Sequence, residues 1–128
     1  MQHSGPDISA IVPVGERRDD VPTLLDEYAE GLSKAGASFE VIVVLDGHCG
    51  GLGAELAPRA ASRDWLRVIE LARSFGESAA LTAGFDEARG RRILTLPAYY
   101  QVVPSELGKL LAAAEETDMG IAVRWPRA

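Results

Sequence analysis

The chain has 128 residues, enough for one domain, and its 47% hydrophobic and 25% charged residues are typical of globular proteins rather than disordered or fibrous ones. A net charge of −6, with arginines scattered along the sequence, argues against binding to nucleic acid or to an anionic membrane. No apolar run is long enough to span a bilayer, the first residues lack the pattern of a signal peptide, and the single cysteine cannot form an internal disulfide. We therefore expect a cytoplasmic protein with no membrane span and no nucleic-acid partner.

The first part of the chain predicts a strand and an amphipathic helix. Residues 1–7 are polar and are expected to form a loose arm in front of a single domain, residues 8–128. Ile8 to Val14 has the continuous apolar character of a strand that is buried on both faces. In the helix that follows, Asp19 or Asp20 is expected to cap the first turn, and the buried positions form one stripe: Leu24, Leu25, Tyr28 and Leu32.

Two more strands, each with its helix, follow in the middle of the chain. Phe39 to Leu45 is rich in β-branched residues and predicts the second strand, and a short, weak helix interrupted by Pro58 comes after it. Leu66 to Leu71 predicts the third strand, and Glu77 to Arg89 predicts a helix faced with alanine and glycine, which can pack very close to a sheet. The turn at Gly76 leaves backbone N–H groups free at the start of this helix, where they can hold an anion.

The last part of the sequence predicts a fourth strand, a loop, a helix and a short final strand. These are Arg92 to Leu96, Pro97 to Val103, a helix that Pro104 opens, and Met119 to Val123. The predicted buried stripe of that helix is Leu107, Leu110, Leu111 and Ala114. Alternating strands and helices with short connections define an α/β fold with an open, doubly wound, mostly parallel sheet of about five strands.

Ligands of such a sheet bind beyond the carboxyl ends of its strands, and the loops there supply the candidate binding residues. Glu16 also fits a solvated charged loop, Asp46 also fits a local turn with the glycines that follow it, and Arg73 also fits a surface arginine. His48 and Cys49 lack a second ligand pair at zinc spacing, so no metal site is expected. The full set of candidates is Val14, Glu16, Asp46, Arg73, Gly76 and Arg124.

Four blocks of the sequence resemble the amino-terminal half of family-2 glycosyltransferases, in particular the dolichol- or polyprenyl-phosphate sugar transferases. The blocks are I-S-A-I-V-P-V, V-I-V-V-L-D-G, R-V-I-E-L-A-R-S-F-G-E-S-A-A-L-T-A-G-F-D-E-A-R-G and I-L-T-L. The third is the most specific, because R-N-F-G-x-x-A-A-x-x-A-G is a typical form in that family. The resemblance covers Ile8 to about Arg124. It implies the GT-A fold, a donor sugar linked to UDP or GDP, and a Mg²⁺ or Mn²⁺ ion.

The sequence departs from the motifs with which that family binds its donor. The first strand typically ends P-x-Y-N-E, whereas this chain has P-V-G-E-R, which leaves Glu16 only roughly in place. The second typically ends D-D-G-S, and of its two acidic residues only Asp46 is present. The D-x-D motif that holds the divalent ion is replaced by Pro97, Ala98 and Tyr99. No cofactor is therefore evident in this sequence, although the resemblance implies one.

The resemblance and these departures leave three hypotheses. The first is a glycosyltransferase-like pseudoenzyme with little or no activity by itself, because the metal motif and the family's acceptor-binding half are missing. The second is a true nucleotide-sugar transferase, either seen as a fragment or using a metal-free mechanism, in which Arg73, Arg124 and the helix start at Gly76 carry the diphosphate charge. The third is a non-catalytic interaction module, either a homo-oligomer or one half of a complex with a partner chain. It would pair through an apolar patch, Tyr99, Tyr100, Val102, Val103 and Trp125, although these side chains also fit the domain's own core.

Overall fold

The computed structural model describes residues 5–99, 106–114 and 121–122, and within them the chain forms five strands and four helices. The strands are Ile8–Val14 (β1), Phe39–Leu45 (β2), Leu66–Glu70 (β3), Arg92–Thr95 (β4) and Ile121–Ala122 (β5). The helices are Val21–Lys34 (α1), Leu52–Ser62 (α2), Glu77–Glu87 (α3) and Leu107–Ala114 (α4), with one 3₁₀ turn, Cys49–Gly51, ahead of α2. Among the described residues, no helix combines the length and the apolar character needed to cross a membrane.

The strands form a single sheet in the order β3-β2-β1-β4-β5, and each described pairing is parallel. The chain moves to one side of β1 for β2 and β3, and to the other side for β4 and β5. In the register, Val14 pairs with Leu45 and Leu45 pairs with Glu70, so β1, β2 and β3 end level with one another. This sheet confirms the open, doubly wound α/β fold that the alternating elements predict.

The two faces of the sheet have separate hydrophobic cores. Helices α1, α2 and α4 cover one face, where alternate residues of the strands pack against the buried side chains of those helices. On the other face, α3 packs against β1 and β2 over a smaller core: Ile11, Ile42, Val44 and Ala80. A Cβ at Gly84 of α3 would lie only 2.5 Å from Ile11 Cγ2. The helix of small residues therefore packs as closely against the sheet as its sequence predicts.

Helix α1 begins after Asp20, one of its two predicted caps. The Asp20 carboxylate accepts hydrogen bonds from Thr23 N at 3.4 Å and from Thr23 Oγ1 at 2.8 Å. Pro22 lies in the first turn, where its missing N–H costs no helical hydrogen bond. Tyr28, on the buried stripe, donates a hydrogen bond to Pro97 O at 2.8 Å and so joins α1 to the loop after β4.

Two helices differ from their predicted extents. The predicted interruption at Pro58 is wrong, because α2 continues through this residue while Leu52 and Leu56 keep one side of the helix buried. Helix α3 ends at Glu87 rather than at Arg89. The N–H of Arg89 donates to Glu40 Oε2 at 2.7 Å instead of continuing the helix.

A buried carboxylate joins the sheet to the end of α3. Glu40, which is 4% exposed, accepts hydrogen bonds from Ser9 Oγ at 2.6 Å, Arg89 N at 2.7 Å and Arg67 Nη1 at 3.1 Å. Burial by itself raises the pKa of Glu40, but these hydrogen bonds, led by the one from Ser9, outweigh burial and hold the pKa below its ordinary value. Glu40 is therefore ionised at neutral pH and anchors the last turn of α3.

Several predicted features lie wholly or partly outside the described residues. Of the predicted arm, residues 1–4 are not described, whereas Pro6 O and Asp7 O accept hydrogen bonds from Arg91 N and Arg92 N at 3.1 and 3.0 Å. Residues 100–105 and 115–120 are also outside, as are the side chains of Leu110 and Ala114. Leu107 and Leu111 of the predicted stripe are buried.

Candidate functional site

A cleft of about 260 Å³ opens at the carboxyl edge of the sheet, between the loops that follow β1 and β4. It lies where the strand order reverses around β1, which is the place where open parallel sheets bind their ligands. A second cavity, of about 210 Å³, lies at the opposite edge, near Arg91 and Gly108, away from the carboxyl ends. The first cleft is the candidate site because it lies at the reversal of strand order, and its described lining is Pro13, Val14, Gly15, Arg17, Asp46, Glu77, Ala80 and Tyr99.

The carboxylate of Asp46 binds the loop between β3 and α3. Its Oδ1 accepts a hydrogen bond from Phe75 N at 2.7 Å, and its Oδ2 accepts one from Ser74 Oγ at 2.9 Å. The N–H of Gly76 donates to the same carboxylate, with its nitrogen 3.2 Å from Oδ1 and 3.0 Å from Oδ2. These donors, first among them the N–H of Phe75, stabilise the charged form and hold the pKa of Asp46 below its ordinary value.

This arrangement bears on the anion site predicted at the start of α3. The N–H of Gly76, one of the groups expected to be free there, already donates to Asp46. Asp46 accepts from Phe75 and Gly76, the residues just before α3, so the anion site at the first turn of the helix stays a prediction. Asp46 contacts residues 74–76 rather than only the glycines that follow it, so a purely local turn does not describe its role.

The close approach of two loops depends on Gly47. Its φ is +100°, a conformation that favours glycine, and a Cβ there would lie 3.1 Å from Ser74 N. A side chain at this position would therefore push the β3–α3 loop away from the end of β2. Gly47 allows Asp46, directly before it, to reach its three partners in that loop.

The loops after β1 and β4 meet through Arg17 and Tyr99. The guanidinium carbon of Arg17 lies 4.1 Å from the centroid of the Tyr99 ring, which is a cation–π contact. Arg18, the next residue, donates from Nη1 to Gly15 O at 2.6 Å and braces the turn that carries Arg17. Arg17 and Tyr99 both line the cleft, so a positive charge and an aromatic ring are held together at its wall.

The segment that replaces the D-x-D motif does not fit a divalent ion. Pro97 O accepts a hydrogen bond from Tyr28 Oη–H, Ala98 O accepts one from Asp19 N at 2.9 Å, and the Ala98 side chain is 1% exposed. The carbonyl oxygens of Pro97 and Ala98 are thus hydrogen-bonded within the protein, and none of the three side chains carries a carboxylate. In the part of the chain that the structure describes, no group of three or more His, Cys, Asp or Glu side chains could hold a metal ion.

The structure gathers only some of the predicted site residues. Val14 and Asp46 line the cleft, and Gly76 is bound to Asp46. Glu16 is exposed in the β1–α1 loop and is not part of the described lining. Arg73 is also exposed, with its guanidinium carbon 4.9 Å from the centroid of the Phe75 ring, and Arg124 lies outside the described residues.

Sequence reasoning missed Arg17 and Tyr99 as a pair at the cleft. Arg17 follows the end of β1 by three positions but is one of several charges in its loop, so its sequence context does not distinguish it. Of the patch proposed for chain pairing, only Tyr99 is described, and its ring contacts Arg17. The signal that could have found the pair is their shared location, because both follow strands that flank the point where strand order reverses.

Solved structures place this fold among the GT-A glycosyltransferases. TarS of S. aureus, residues 1–349, matches with a TM-score of 0.58 and 22% identity, over 86% of this chain and 32% of that one. The mannosyltransferase PcManGT from Pyrobaculum calidifontis, solved in complex with GDP-Man and Mn²⁺, matches with a TM-score of 0.58 and 19% identity, over 85% and 32% of the two chains. These likenesses confirm the predicted fold.

The family follows from the sequence comparison. The model of "Glycosyl transferase family 2" matches residues 9–128, and the chain therefore belongs to that family. The undecaprenyl-phosphate 4-deoxy-4-formamido-L-arabinose transferase of Pseudomonas paraeruginosa is 34% identical over 111 residues, which are 85% of this chain and 32% of the relative. The dodecaprenyl-phosphate galacturonate synthase of Rhizobium johnstonii is 30% identical over 121 residues, 93% and 36% of the two chains. The chain thus spans about a third of the length of these relatives.

Proposed function

We propose that the cleft binds the nucleotide of a UDP- or GDP-linked sugar and that the chain contributes the donor-binding part of a family-2 sugar transfer. The observation that carries this proposal is the location of the cleft at the reversal of strand order, with Val14 and Asp46 in its lining. Of the apolar lining, Pro13 is half-buried and offers a surface for a base, whereas Val14 and Ala80 are fully buried. Asp46 fixes the loop on the opposite wall.

The names of the similar proteins support the choice of substrate class. PcManGT was solved with GDP-Man, and the curated relatives are named as polyprenyl-phosphate sugar transferases. For the whole protein we propose a polyprenyl phosphate as acceptor. Transfer of a sugar from a nucleoside diphosphate leaves that diphosphate with its negative charge, so catalysis requires a compensating positive charge at the cleft.

We propose that residues 1–128 have little or no transferase activity by themselves. The support is the segment 97–99, which provides no carboxylate for a divalent ion, while the two carboxylates in the described lining are Asp46, bound to its loop, and Glu77. A sugar transfer also requires an acceptor held against the donor. The expected result is donor binding without turnover.

Calorimetric titration with UDP, GDP, UDP-glucose and GDP-mannose tests the donor site. We expect saturable binding in the micromolar range to one nucleotide class, with one site per chain. Asp46→Ala frees the β3–α3 loop and is expected to weaken that binding, whereas Asp86→Ala, an exposed acidic residue of α3, is the matched control. If none of the four ligands gives a measurable heat of binding, the proposed donor site is wrong.

A second candidate function is a non-catalytic module that pairs with another copy of the chain. The observation that favours it is the exposure of two large apolar side chains, Phe75 at 53% just before α3 and Phe85 at 46% within α3. Sedimentation velocity over a concentration series would show a dimer that Phe85→Ser dissociates. A monomer at every concentration would exclude this candidate.

A further inference from the structure

We propose that the cleft takes a nucleoside diphosphate without a divalent cation, and that the Arg17 guanidinium, held on the Tyr99 ring, supplies the compensating positive charge. This inference rests on the proposed function, because it assumes that a nucleotide occupies the cleft. It differs from that function in naming the residue that contacts the diphosphate and in dispensing with a metal ion.

The charges of the cleft single out Arg17. Arg17 is the one cation in the described lining, where the acidic side chains are Asp46 and Glu77. The Asp46 carboxylate keeps its charge, and its two oxygens accept hydrogen bonds from the backbone and hydroxyl donors of residues 74–76. Glu77 lies in the first turn of α3, where the helix dipole offsets part of its charge. Arg17 and Glu77 are both exposed, so water screens the two charges alike.

The guanidinium of Arg17 is available to a ligand. Within the described residues Arg17 takes part in no ion pair, and its recorded contact is with the face of the Tyr99 ring. A cation–π contact leaves the N–H groups at the edge of the guanidinium plane free to donate. Two such groups match the spacing of phosphate oxygens, so Arg17 can bind a diphosphate in a bidentate manner.

The position of Arg17 is fixed from both sides. Arg18 holds the turn of Arg17 through Gly15 O, while the loop of Tyr99 is held through Pro97 O and Ala98 O. These contacts use neutral backbone oxygens and do not consume the charge of Arg17. The hydrogen bonds to Pro97 O and Ala98 O also make these carbonyls unavailable to a metal ion. The same two bonds therefore disfavour a metal ion and position the ring on which Arg17 lies.

Titration of UDP and GDP in EDTA and again with excess Mn²⁺ tests the inference. We expect binding in EDTA that excess Mn²⁺ does not strengthen, because the site uses no metal ion and Mn²⁺ competes with Arg17 for the diphosphate. Arg17→Ala should weaken diphosphate binding about tenfold, which is about 1.4 kcal/mol, while binding of uridine or guanosine stays unchanged. Tyr99→Leu, which removes the ring, should weaken it in the same direction, and Tyr99→Phe, which keeps the ring, should weaken it less.

Matched variants separate this effect from a general loss of charge. Arg91→Ala removes an exposed arginine at the opposite edge of the sheet and should leave binding unchanged. Glu77→Gln removes a negative charge from the lining and should tighten diphosphate binding about twofold. Thermal unfolding of each variant checks that the fold is retained.

The outcomes distinguish the inference from the function on which it rests. Binding that requires Mn²⁺, or that Arg17→Ala leaves unchanged, would overturn the inference while the nucleotide site stands. No binding of either diphosphate under any condition would remove the nucleotide site and the inference together. Metal-independent binding that depends on Arg17 would support both.

Discussion

The backbone nitrogen of Phe75 lies 2.7 Å from Oδ1 of Asp46, a hydrogen bond that joins the end of β2 to the loop before α3. Ser74 and Gly76 donate to the same carboxylate. Three consecutive residues of the β3–α3 loop are thus held by one side chain at the end of a neighbouring strand. The shape of one wall of the cleft depends on this contact.

Asp46→Asn is expected to lower the free energy of unfolding by about 1 kcal/mol, because an amide offers one oxygen where the carboxylate offers two. Chemical denaturation at neutral pH measures the change. Asp86→Asn, on the exposed side of α3, is the control and should fall within about 0.5 kcal/mol of the parent chain. Equal stability of the parent and Asp46→Asn would show that these hydrogen bonds contribute nothing net.

The contribution of Asp46 should depend on pH in a defined direction. Its pKa in the folded chain lies below the ordinary value of 3.8, so its stabilising effect is complete above that pH and is lost as the pH falls through the folded pKa. The stability difference between the parent and Asp46→Asn should therefore be constant near neutrality and shrink only in acid below about pH 4. A difference that already shrinks between about pH 7 and pH 5 would contradict this assignment.

Gly84→Ala is expected to destabilise the fold by about 1–3 kcal/mol, although alanine is the better helix former. The reason is steric, since the added Cβ would lie 2.5 Å from Ile11 Cγ2. The matched control is Gly108→Ala in α4, where the added Cβ would lie 3.6 Å from Ala35 Cβ, an ordinary contact. Thermal unfolding should show a lower midpoint for Gly84→Ala and an unchanged or higher one for Gly108→Ala.

Gly15→Tyr is expected to tighten nucleotide binding about tenfold by giving the base an aromatic ring to stack on. Gly15 lines the cleft, and no described atom lies within 4 Å of the place where its Cβ would be, so the backbone accepts a side chain there. Titration with UDP and GDP measures the gain, and inorganic pyrophosphate, which has no base, is the control ligand. If pyrophosphate binding tightens equally, stacking on the base is not the cause.

The sequence predicts the elements that local pattern controls. β1 and β2 have their predicted bounds because each is a mostly apolar run between polar loops, with Ser9 and Glu40 as their polar members. Asp20 caps α1 as one of two predicted candidates. The close packing of α3 against the sheet follows from its small residues. It is confirmed at Gly84, where there is no room for a Cβ. These features depend on neighbours in the sequence and on the two periodicities of helix and strand.

The sequence does not predict the contacts that depend on distant residues. Arg89 leaves the helical pattern because Glu40 accepts its N–H, and Asp46 binds residues 74–76, which only the completed sheet brings near. The Arg17–Tyr99 contact likewise arises because β1 and β4 are neighbours in the sheet. The order of the strands around β1 therefore determines which residues meet at the cleft. The local sequence pattern determines only the individual strands and helices that carry them.

Chemical-shift mapping of the backbone amides with UDP and GDP tests the central claim most directly. We expect the shifts to concentrate at the cleft, at Gly15, Asp46, Glu77 and Ala80, for at least one of the two nucleotides. Shifts that concentrate instead at the opposite edge, around Arg91 and Gly108, or amides that do not move with either nucleotide, would contradict it.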